Sequence, residues 1–246
     1  MTVRIETVGR VMVLTLDRPQ RRNAVDHATL LALLEAQREV ATAGLDAVRA
    51  VVLTGAAPAF SAGADLTGVE EGRFAEDLAR TLRGFGELSV PVIAAIDGPA
   101  LGAGAQLAVA VDLRVATPSS VVGVPAARLG LVVDHWTVRR LASEFTAPVA
   151  RAMLVGAETY SGERLHTLGA IHRLGNLDAA MEWATTLSGL APLTLSGHKL
   201  ALEHLQPEPG TVEAVEAARR TAWASDDAVE GRTAFLEKRP ARFTGR

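Results

Sequence analysis

The chain has 246 residues, of which 48% are hydrophobic, so it is long enough to bury one large core and is not a disordered chain. Its net charge of −3 provides no basic field for nucleic acid, and it has no Lys/Arg-rich run that would anchor it to a membrane. The absence of cysteine excludes disulfides and thiolate chemistry, and the histidines lack the spacing of metal ligands. The first ten residues carry charges and no apolar signal region. We therefore expect a cytoplasmic protein without a metal site, a nucleic-acid partner or a membrane span.

The first part of the chain predicts a β-hairpin, a long helix and a strand. Residues 3–5 and Val11–Leu16 are apolar runs on either side of a glycine-containing turn, as in a β-hairpin. Asp26 is a typical N-cap, and the apolar residues after it recur at helical spacing as far as Gly44. A β-branched run at 49–53 predicts the next strand.

Two predicted strands end in glycine-rich loops. The strand at 49–53 continues into residues 54–66, and the apolar run Val92–Ile96 continues into residues 97–112, where a helix begins near Ala103. The first N–H groups of that helix lack an internal partner and lie at the positive end of the helix dipole, so they can bind an anion or a developing oxyanion. This stretch alone leaves open that its glycines only make a tight strand-to-helix turn. Its glycine spacing differs from the dinucleotide-binding fingerprint, and the P-loop lysine is absent, which disfavours a nucleotide-binding module.

Strands and helices continue to alternate in the rest of the chain. The alternation predicts an α/β fold, and beyond residue 130 the pattern becomes mainly helical. The predicted elements are a helix at 74–88, strands at Leu113–Ala116 and 121–124, and helices at 180–190, 212–223 and 227–238.

Three segments carry a resemblance to a known family. Ala-Phe-Ser-Ala-Gly-Ala-Asp-Leu at 59–66 and the stretch 91–116 resemble the oxyanion-hole motifs of the enoyl-CoA hydratase/isomerase (crotonase) family. Val-Pro-Ala-Ala-Arg-Leu-Gly-Leu at 124–131 lies where that family has its second catalytic segment. The resemblance spans almost the whole chain and includes actinobacterial members that lack both catalytic glutamates. It implies a crotonase-like (ClpP/crotonase) spiral of β-β-α units in residues 1–190, a C-terminal helical trimerisation region in residues 191–246, and a homotrimer or hexamer.

The resemblance also implies an acyl-CoA thioester as the ligand, with no other cofactor. The peptide N–H groups of Ala64 and Ala103 would bind the thioester carbonyl. Arg18, Arg21 and Arg22 would lie near the phosphates of coenzyme A, although a solvated basic loop is the alternative for any single arginine. The residues implied to bind the substrate are Arg22, Ala24, Ala62, Ala64, Asp65, Leu66, Gly102, Ala103, Gln106, Ala126, His135 and Trp136.

The sequence departs from the family at the two catalytic glutamates. Hydratases use them to add water to the double bond, and the matching positions here are Gln106 and Ala126. An amide can hold water but cannot take its proton at neutral pH, and a methyl group can do neither. Because positioned proton transfer contributes ~10²–10⁴-fold, we expect an acyl-CoA-binding protein of fatty acid or lipid metabolism with little or no hydratase activity. An enoyl-CoA hydratase of weak activity is the alternative.

Asp134 leaves a further alternative open. It falls where dienoyl-CoA isomerases of the family place a catalytic aspartate, although those enzymes pair it with a second acid where this chain has Ala126. An aspartate before an apolar-periodic segment is also an ordinary N-cap. The chain could therefore be an enoyl- or dienoyl-CoA isomerase that uses Asp134, or Asp134 could simply cap the next helix. His135 and Trp136 are bulkier than the small residues of ordinary hydratases, so we expect them to narrow the pocket.

Overall fold

A computed structural model describes residues 2–65, 71–129, 131–205 and 211–246. The strands in this part of the chain are β1 (Val3–Val8), β2 (Val11–Leu16), β3 (Ala50–Gly55), β4 (Val92–Ile96), β5 (Pro99–Leu101), β6 (Leu113–Ala116), β7 (Val121–Gly123), β8 (Thr159–Ser161) and β9 (Arg173–Leu174). The α-helices are α1 (His27–Ala47), α2 (Glu71–Glu87), α3 (Ala103–Ala110), α4 (His135–Glu144), α5 (Ala147–Leu154), α6 (Gly162–Thr167), α7 (Leu177–Ser188), α8 (Pro192–Glu203), α9 (Thr211–Trp223) and α10 (Asp226–Glu237).

The larger sheet has the strand order β1-β2-β3-β4-β6-β9. Its first pair is antiparallel and the remaining neighbours are parallel. Helices cover both faces, so alternate residues of one strand enter different cores. Val51 and Leu53 belong to the main core, whereas Val52 packs in a second core that includes Ala180 and Ala184 of α7. The continuous apolar runs of the sequence thus become central strands with both faces buried.

The smaller sheet has the order β5-β7-β8 and gives the fold its repeating unit. In one unit β4 leads to β5 and then to α3, and in the next unit β6 leads to β7 and then to α4. An isolated parallel bridge between Ser61 and Ala100 brings the loop after β3 alongside β5 in the same way. These stacked β-β-α units confirm the α/β class and the predicted spiral.

The predicted strands and helices are present in the structure, which also contains short elements that were not predicted. The hairpin, the cap and the C-terminal helices are confirmed, and the Asp26 side chain accepts a hydrogen bond from the Thr29 N–H at 2.8 Å. Gly44, with φ +69°, interrupts the helical conformation near the end of α1, which continues to Ala47. The short strands β5, β8 and β9 and the helices α5, α6 and α8 were not predicted individually.

A buried lysine attaches α8 to the strand-rich part of the molecule. Lys199 Nζ donates to the carbonyls of Phe85 at 2.8 Å and Val90 at 3.1 Å, and to the Asp112 carboxylate at 2.8 Å. These contacts fix α8 against α2 and the start of β4. Helix α8 lies after the predicted domain boundary at residue 190, and its partners lie before it. That division into two regions stays a prediction. No helix among the described residues is long and apolar enough to cross a membrane.

A buried arginine fixes helix α4. Arg114, on β6, is 1% exposed, and its guanidinium donates to Glu144 at 2.6 Å and to the carbonyls of Ala170 and Val111 at 2.9 and 3.0 Å. Burial lowers the pKa of Arg114, and the neighbouring Glu144 opposes this shift. Because Glu144 ends α4, the ion pair holds that helix against the sheet.

Candidate functional site

The two glycine-rich loops predicted from the sequence meet at one place. The Ser61 N–H donates to the Pro99 carbonyl, and the Leu101 N–H donates to the Ser61 carbonyl, each at 2.9 Å. Beyond this bridge Gly63 and Gly102 face one another so closely that a Cβ at Gly102 would lie 3.7 Å from the Gly63 Cα. A Cβ at Gly63 would lie 3.0 Å from the Leu101 carbonyl oxygen and 3.8 Å from the Ala103 nitrogen.

Both facing glycines adopt backbone conformations that other residues rarely take. Gly63 has φ +110°, and Gly102 has φ +53° with ψ −117°. Each of them directly precedes one of the predicted oxyanion donors, Ala64 and Ala103. The glycines therefore do more than make tight turns, because they bring the two following peptide N–H groups close together.

The backbone pairing around Ala64 turns its N–H away from the neighbouring strand. The Val25 N–H donates to the Gly63 carbonyl, and the Asp65 N–H donates to the Val25 carbonyl, both at 2.8 Å. In parallel pairing, the residue between two bonded neighbours points its own N–H and carbonyl the other way. No hydrogen bond of the Ala64 N–H occurs within the described ranges.

Ala103 supplies the second donor. It is the first residue of α3, and its N-cap, Gly102, has no side chain to satisfy the helix N–H groups. The Ala103 N–H has no acceptor in the part of the chain that the structure describes. Two peptide donors at adjacent loops, one of them on a helix N-terminus, are groups that can donate hydrogen bonds to an oxygen as it gains negative charge.

Asn23 holds the first loop in place, a role that sequence reasoning missed. Its side-chain amide donates to the carbonyls of Ala56 at 2.7 Å and Ala59 at 2.6 Å, and its own carbonyl accepts from the Ser61 hydroxyl at 2.8 Å. Asn23 is buried and has φ +55°, a conformation that asparagine tolerates better than most residues. Its place after an arginine-rich turn gave no indication of partners more than 30 residues away.

The arginines near Asn23 have different roles. Arg18 is largely buried and is paired with Asp26 at 3.1 Å, Asp65 at 3.0 Å and the Ala24 carbonyl at 2.7 Å. The expectation that Arg18 binds phosphates is therefore wrong, because its guanidinium already ties the loop to two carboxylates. Arg22 is exposed and has no side-chain partner within the described residues, so it stays available for an anion.

Gln106 lies one turn into α3 and is 7% exposed. Its side-chain oxygen accepts a hydrogen bond from the Thr137 hydroxyl at 3.2 Å. The Thr137 N–H in turn donates to Asp134 at 3.1 Å, so Asp134 is the N-cap of α4. The Asp134 side chain is 39% exposed and lies 3.9 Å from the Arg83 guanidinium. Of the two interpretations of Asp134, the structure shows the cap.

The remaining predicted site residues surround this centre in different ways. Ala64, Ala126 and Trp136 are partly buried and pack against the main core. His135 is exposed, and so is Ala62, whose N–H donates to the Arg22 carbonyl at 2.9 Å.

Two further predictions concern Leu66 and the absence of a metal site. Leu66 lies outside the described residues. The described ranges contain no group of three His, Cys, Asp or Glu side chains that could hold a metal ion.

Comparison with known proteins identifies the family of this arrangement. The family model for enoyl-CoA hydratase/isomerase matches residues 6–246. The chain belongs to the enoyl-CoA hydratase/isomerase family. It is 40% identical to a relative named probable enoyl-CoA hydratase echA6 of Mycobacterium tuberculosis, over 96% of each chain. It is 33% identical to the 2,3-dehydroadipyl-CoA hydratase of Escherichia coli, again over 96% of each.

Solved structures of the enoyl-CoA hydratase/isomerase family have the same fold. The enoyl-CoA hydratase EchA1 of Mycobacterium marinum superposes with a TM-score of 0.85 at 31% identity, covering 100% of this chain and 99% of that one. A family member from Hyphomonas neptunium gives a TM-score of 0.90 at 29% identity, covering 100% and 98% of the two chains. The similarity therefore extends over the entire chain and includes both loops of the site.

Gly104 allows α3 to approach the first loop, and Gly104→Ala tests this contact. A Cβ there would lie 2.5 Å from the Ser61 carbonyl oxygen and 2.8 Å from the Ser61 Cβ. We expect the variant to lose about 1–3 kcal/mol of unfolding free energy, because the two loops must separate. Urea denaturation measures the change.

The matched control is Gly197→Ala in α8. Among the described residues, its new Cβ would meet the Ala218 Cβ, at an ordinary 3.8 Å. We expect this variant to gain about 0.5–1 kcal/mol from helix propensity. Wild-type stability in Gly104→Ala would contradict the close approach of the loops.

Proposed function

We propose that this protein binds acyl-CoA in fatty acid or lipid metabolism and has little or no hydratase activity. The observation that carries the proposal is the pair of peptide N–H groups at Ala64 and Ala103, which have no partner among the described residues and are brought together by Gly63 and Gly102. A thioester carbonyl oxygen between them accepts two hydrogen bonds. Arg22, exposed at the adjoining loop, is available for a phosphate of coenzyme A.

Recognition of the thioester needs no side chain in this proposal. Each peptide N–H contributes about 0.5–1.5 kcal/mol as a net hydrogen bond. The dipole of α3 adds to the attraction because the carbonyl oxygen carries partial negative charge at the helix N-terminus. Binding and polarisation of the thioester are therefore independent of the residues that would carry out a reaction.

The chemistry beyond binding is limited by two residues. The family's two proton-transfer positions correspond to Gln106, whose amide oxygen is already bonded to Thr137, and Ala126, which ends in a methyl group. Neither can act as a general acid or a general base at neutral pH. A polarised thioester without an acid and a base is a bound ligand that reacts slowly.

The alternative is an enzyme of weak activity. The names of the relatives favour an enoyl-CoA hydratase, since one is a 2,3-dehydroadipyl-CoA hydratase and others are named probable enoyl-CoA hydratases. An enoyl- or dienoyl-CoA isomerase would need Asp134 as its proton carrier. Asp134 is used as a helix cap and faces Arg83, so this version has less support.

Ala103→Pro tests the proposed thioester site. Proline at the first position of a helix keeps the backbone geometry and removes one N–H donor. We expect butyryl-CoA to bind about 10-fold more weakly and free coenzyme A to change less than about 2-fold, as measured by isothermal titration calorimetry. Leu177→Pro, at the first position of α7, is the matched control and is expected to leave both affinities unchanged. Equal losses for the two ligands in Ala103→Pro would place the carbonyl elsewhere.

Gln106→Glu with Ala126→Glu tests whether the missing carboxylates limit hydration. We expect the double variant to hydrate crotonyl-CoA roughly 10²-fold faster than wild type, and each single variant to gain much less, because the two groups act as a unit. The loss of crotonyl-CoA absorbance in a spectrophotometer reports the rate.

Trp136→Gly added to the double variant controls for space, since the partly buried indole could exclude the water. Hydration by the wild type at ordinary enzymatic rates would contradict the proposal and favour the hydratase alternative.

The proposal includes assembly into a homotrimer or a hexamer. Apolar side chains are exposed in the segment before α4 and around α8 and α9, where a partner subunit would cover them. These residues are Leu129, Leu131, Val132, Leu202, Leu205 and Trp223. We expect light scattering at micromolar concentration to give three or six times the monomer mass, and a monomer would contradict this part of the proposal. The cytoplasmic location stays a prediction.

A further inference from the structure

We propose that the site selects acyl thioesters that carry an oxygen atom on the third carbon, as 3-oxoacyl and 3-hydroxyacyl groups do, and that the Gln106 side-chain amide recognises this oxygen. The inference rests on the proposed thioester site at Ala64 and Ala103. It goes further by assigning a hydrogen-bond donor to a defined position along the acyl chain.

The position of Gln106 follows from the first turn of α3. Its backbone N–H donates to the Gly102 carbonyl at 3.0 Å, which places Gln106 one turn after Ala103. Side chains three residues apart lie on the same helix face, with about 5–6 Å between their Cβ atoms. Helical Cα–Cβ bonds tilt toward the N-terminus, so the Gln106 side chain is directed back toward the end of α3 that carries the Ala103 N–H.

Thr137 determines which end of the amide faces the site. Its hydroxyl donates to Gln106 Oε1 at 3.2 Å, and Thr137 itself is fully buried and is held by the Asp134 cap. Gln106 Nε2 therefore points away from Thr137. It has no hydrogen-bond partner among the described residues, although the side chain is more than nine-tenths buried.

The free amide nitrogen keeps access to open space. Among the described residues, Arg49 Nη1 is a side-chain nitrogen that is fully enclosed and has no hydrogen-bond partner. Gln106 Nε2 also has no partner there, but it is not fully enclosed. A bound ligand that covers Gln106 therefore removes Nε2 from water, and the amide then needs an acceptor on the ligand.

The chemistry of Nε2 defines what the ligand must supply. An amide nitrogen offers two N–H donors and accepts nothing, so its partner is an acceptor such as a carbonyl or hydroxyl oxygen. Saturated and 2-enoyl chains have only carbon and hydrogen near the thioester, and they leave the buried donors unpaired. Sites that present a buried hydrogen-bonding group discriminate strongly against ligands that cannot pair with it.

Three acyl-CoA ligands of equal chain length test the selectivity. Butyryl-CoA, 3-hydroxybutyryl-CoA and acetoacetyl-CoA differ only at the third carbon, and isothermal titration calorimetry compares their affinities for the full-length protein. We expect both oxygen-bearing ligands to bind about 5–20-fold more tightly than butyryl-CoA. Equal affinities would overturn the inference. Butyryl-CoA binding no tighter than free coenzyme A would instead contradict the proposed thioester site.

Gln106→Glu is the decisive variant because it keeps the shape and an oxygen for the Thr137 hydroxyl while replacing the donors by a carboxylate. We expect it to lose the preference for acetoacetyl-CoA over butyryl-CoA, because a carboxylate repels the acceptor oxygen on the third carbon, whatever its affinity for butyryl-CoA itself. A preference retained in Gln106→Glu would show that another group recognises the oxygen and would overturn the assignment.

Thr137→Val tests whether Thr137 positions the amide. Without the hydroxyl, either end of the amide can face the site, so we expect the ratio of acetoacetyl-CoA affinity to butyryl-CoA affinity to fall at least about 2-fold. Thr185→Val on α7, which removes a hydroxyl bonded to the Met181 carbonyl, is the matched control and keeps the preference. An unchanged preference in Thr137→Val would contradict the positioning role.

Discussion

The close approach of two backbone segments is the constraint on which the site depends. Gly63 and Gly102 face each other, and Gly104 packs on Ser61 so closely that a Cβ at Gly104 would not fit and a Cβ at Gly63 would be tightly crowded. The loops meet because each follows a parallel strand of the larger sheet and then pairs beside the smaller one. Strand order, the short second sheet and the start of α3 all serve to bring two peptide N–H groups together.

Buried polar side chains around the site hold its loops and the neighbouring helices in place. Asn23 fixes the loop after β3, Arg114 fixes α4 through Glu144, and Lys199 fixes α8 against the core. Each of these side chains donates hydrogen bonds to main-chain carbonyls that the loops would otherwise leave unpaired. Unpaired buried carbonyls are costly. The same logic extends to Gln106, whose orientation depends on Thr137 in a different helix. The backbone donors of the site are thus held by neighbouring segments, and the Gln106 amide is oriented by Thr137.

Local patterns were sufficient to predict much of this. The hairpin, the long α1, the strand exits and the caps at Asp26 and Asp134 follow from periodicity, glycine placement and capping preferences over a few residues. The short strand β5 has only three residues and no alternation of its own, so its pairing with β7 exists only in the folded chain. The family resemblance supplied the spiral arrangement, which periodicity alone could not give.

The partners of the polar residues were beyond such patterns. Arg18 belongs to a basic cluster in the sequence, but it forms an internal ion pair with Asp65, which lies 47 residues away. Thr137 contacts Gln106 across 31 residues, and nothing in the sequence near either residue indicates the other. Side-chain pairing at long range is determined by how the layers stack. The partners of the buried polar residues and the direction of the Gln106 amide therefore could not be predicted from the sequence.

A binding site made of peptide N–H groups has a consequence for how such proteins diverge. Every residue except proline carries the same main-chain donor, so substitution at Ala64 or Ala103 by other residues keeps the two proposed donors as long as the flanking glycines remain. Catalysis, in contrast, ends with the replacement of a single carboxyl group. Under the proposed function, replacement of the carboxyl groups therefore removes the reaction and leaves in place the peptide donors that would bind the thioester.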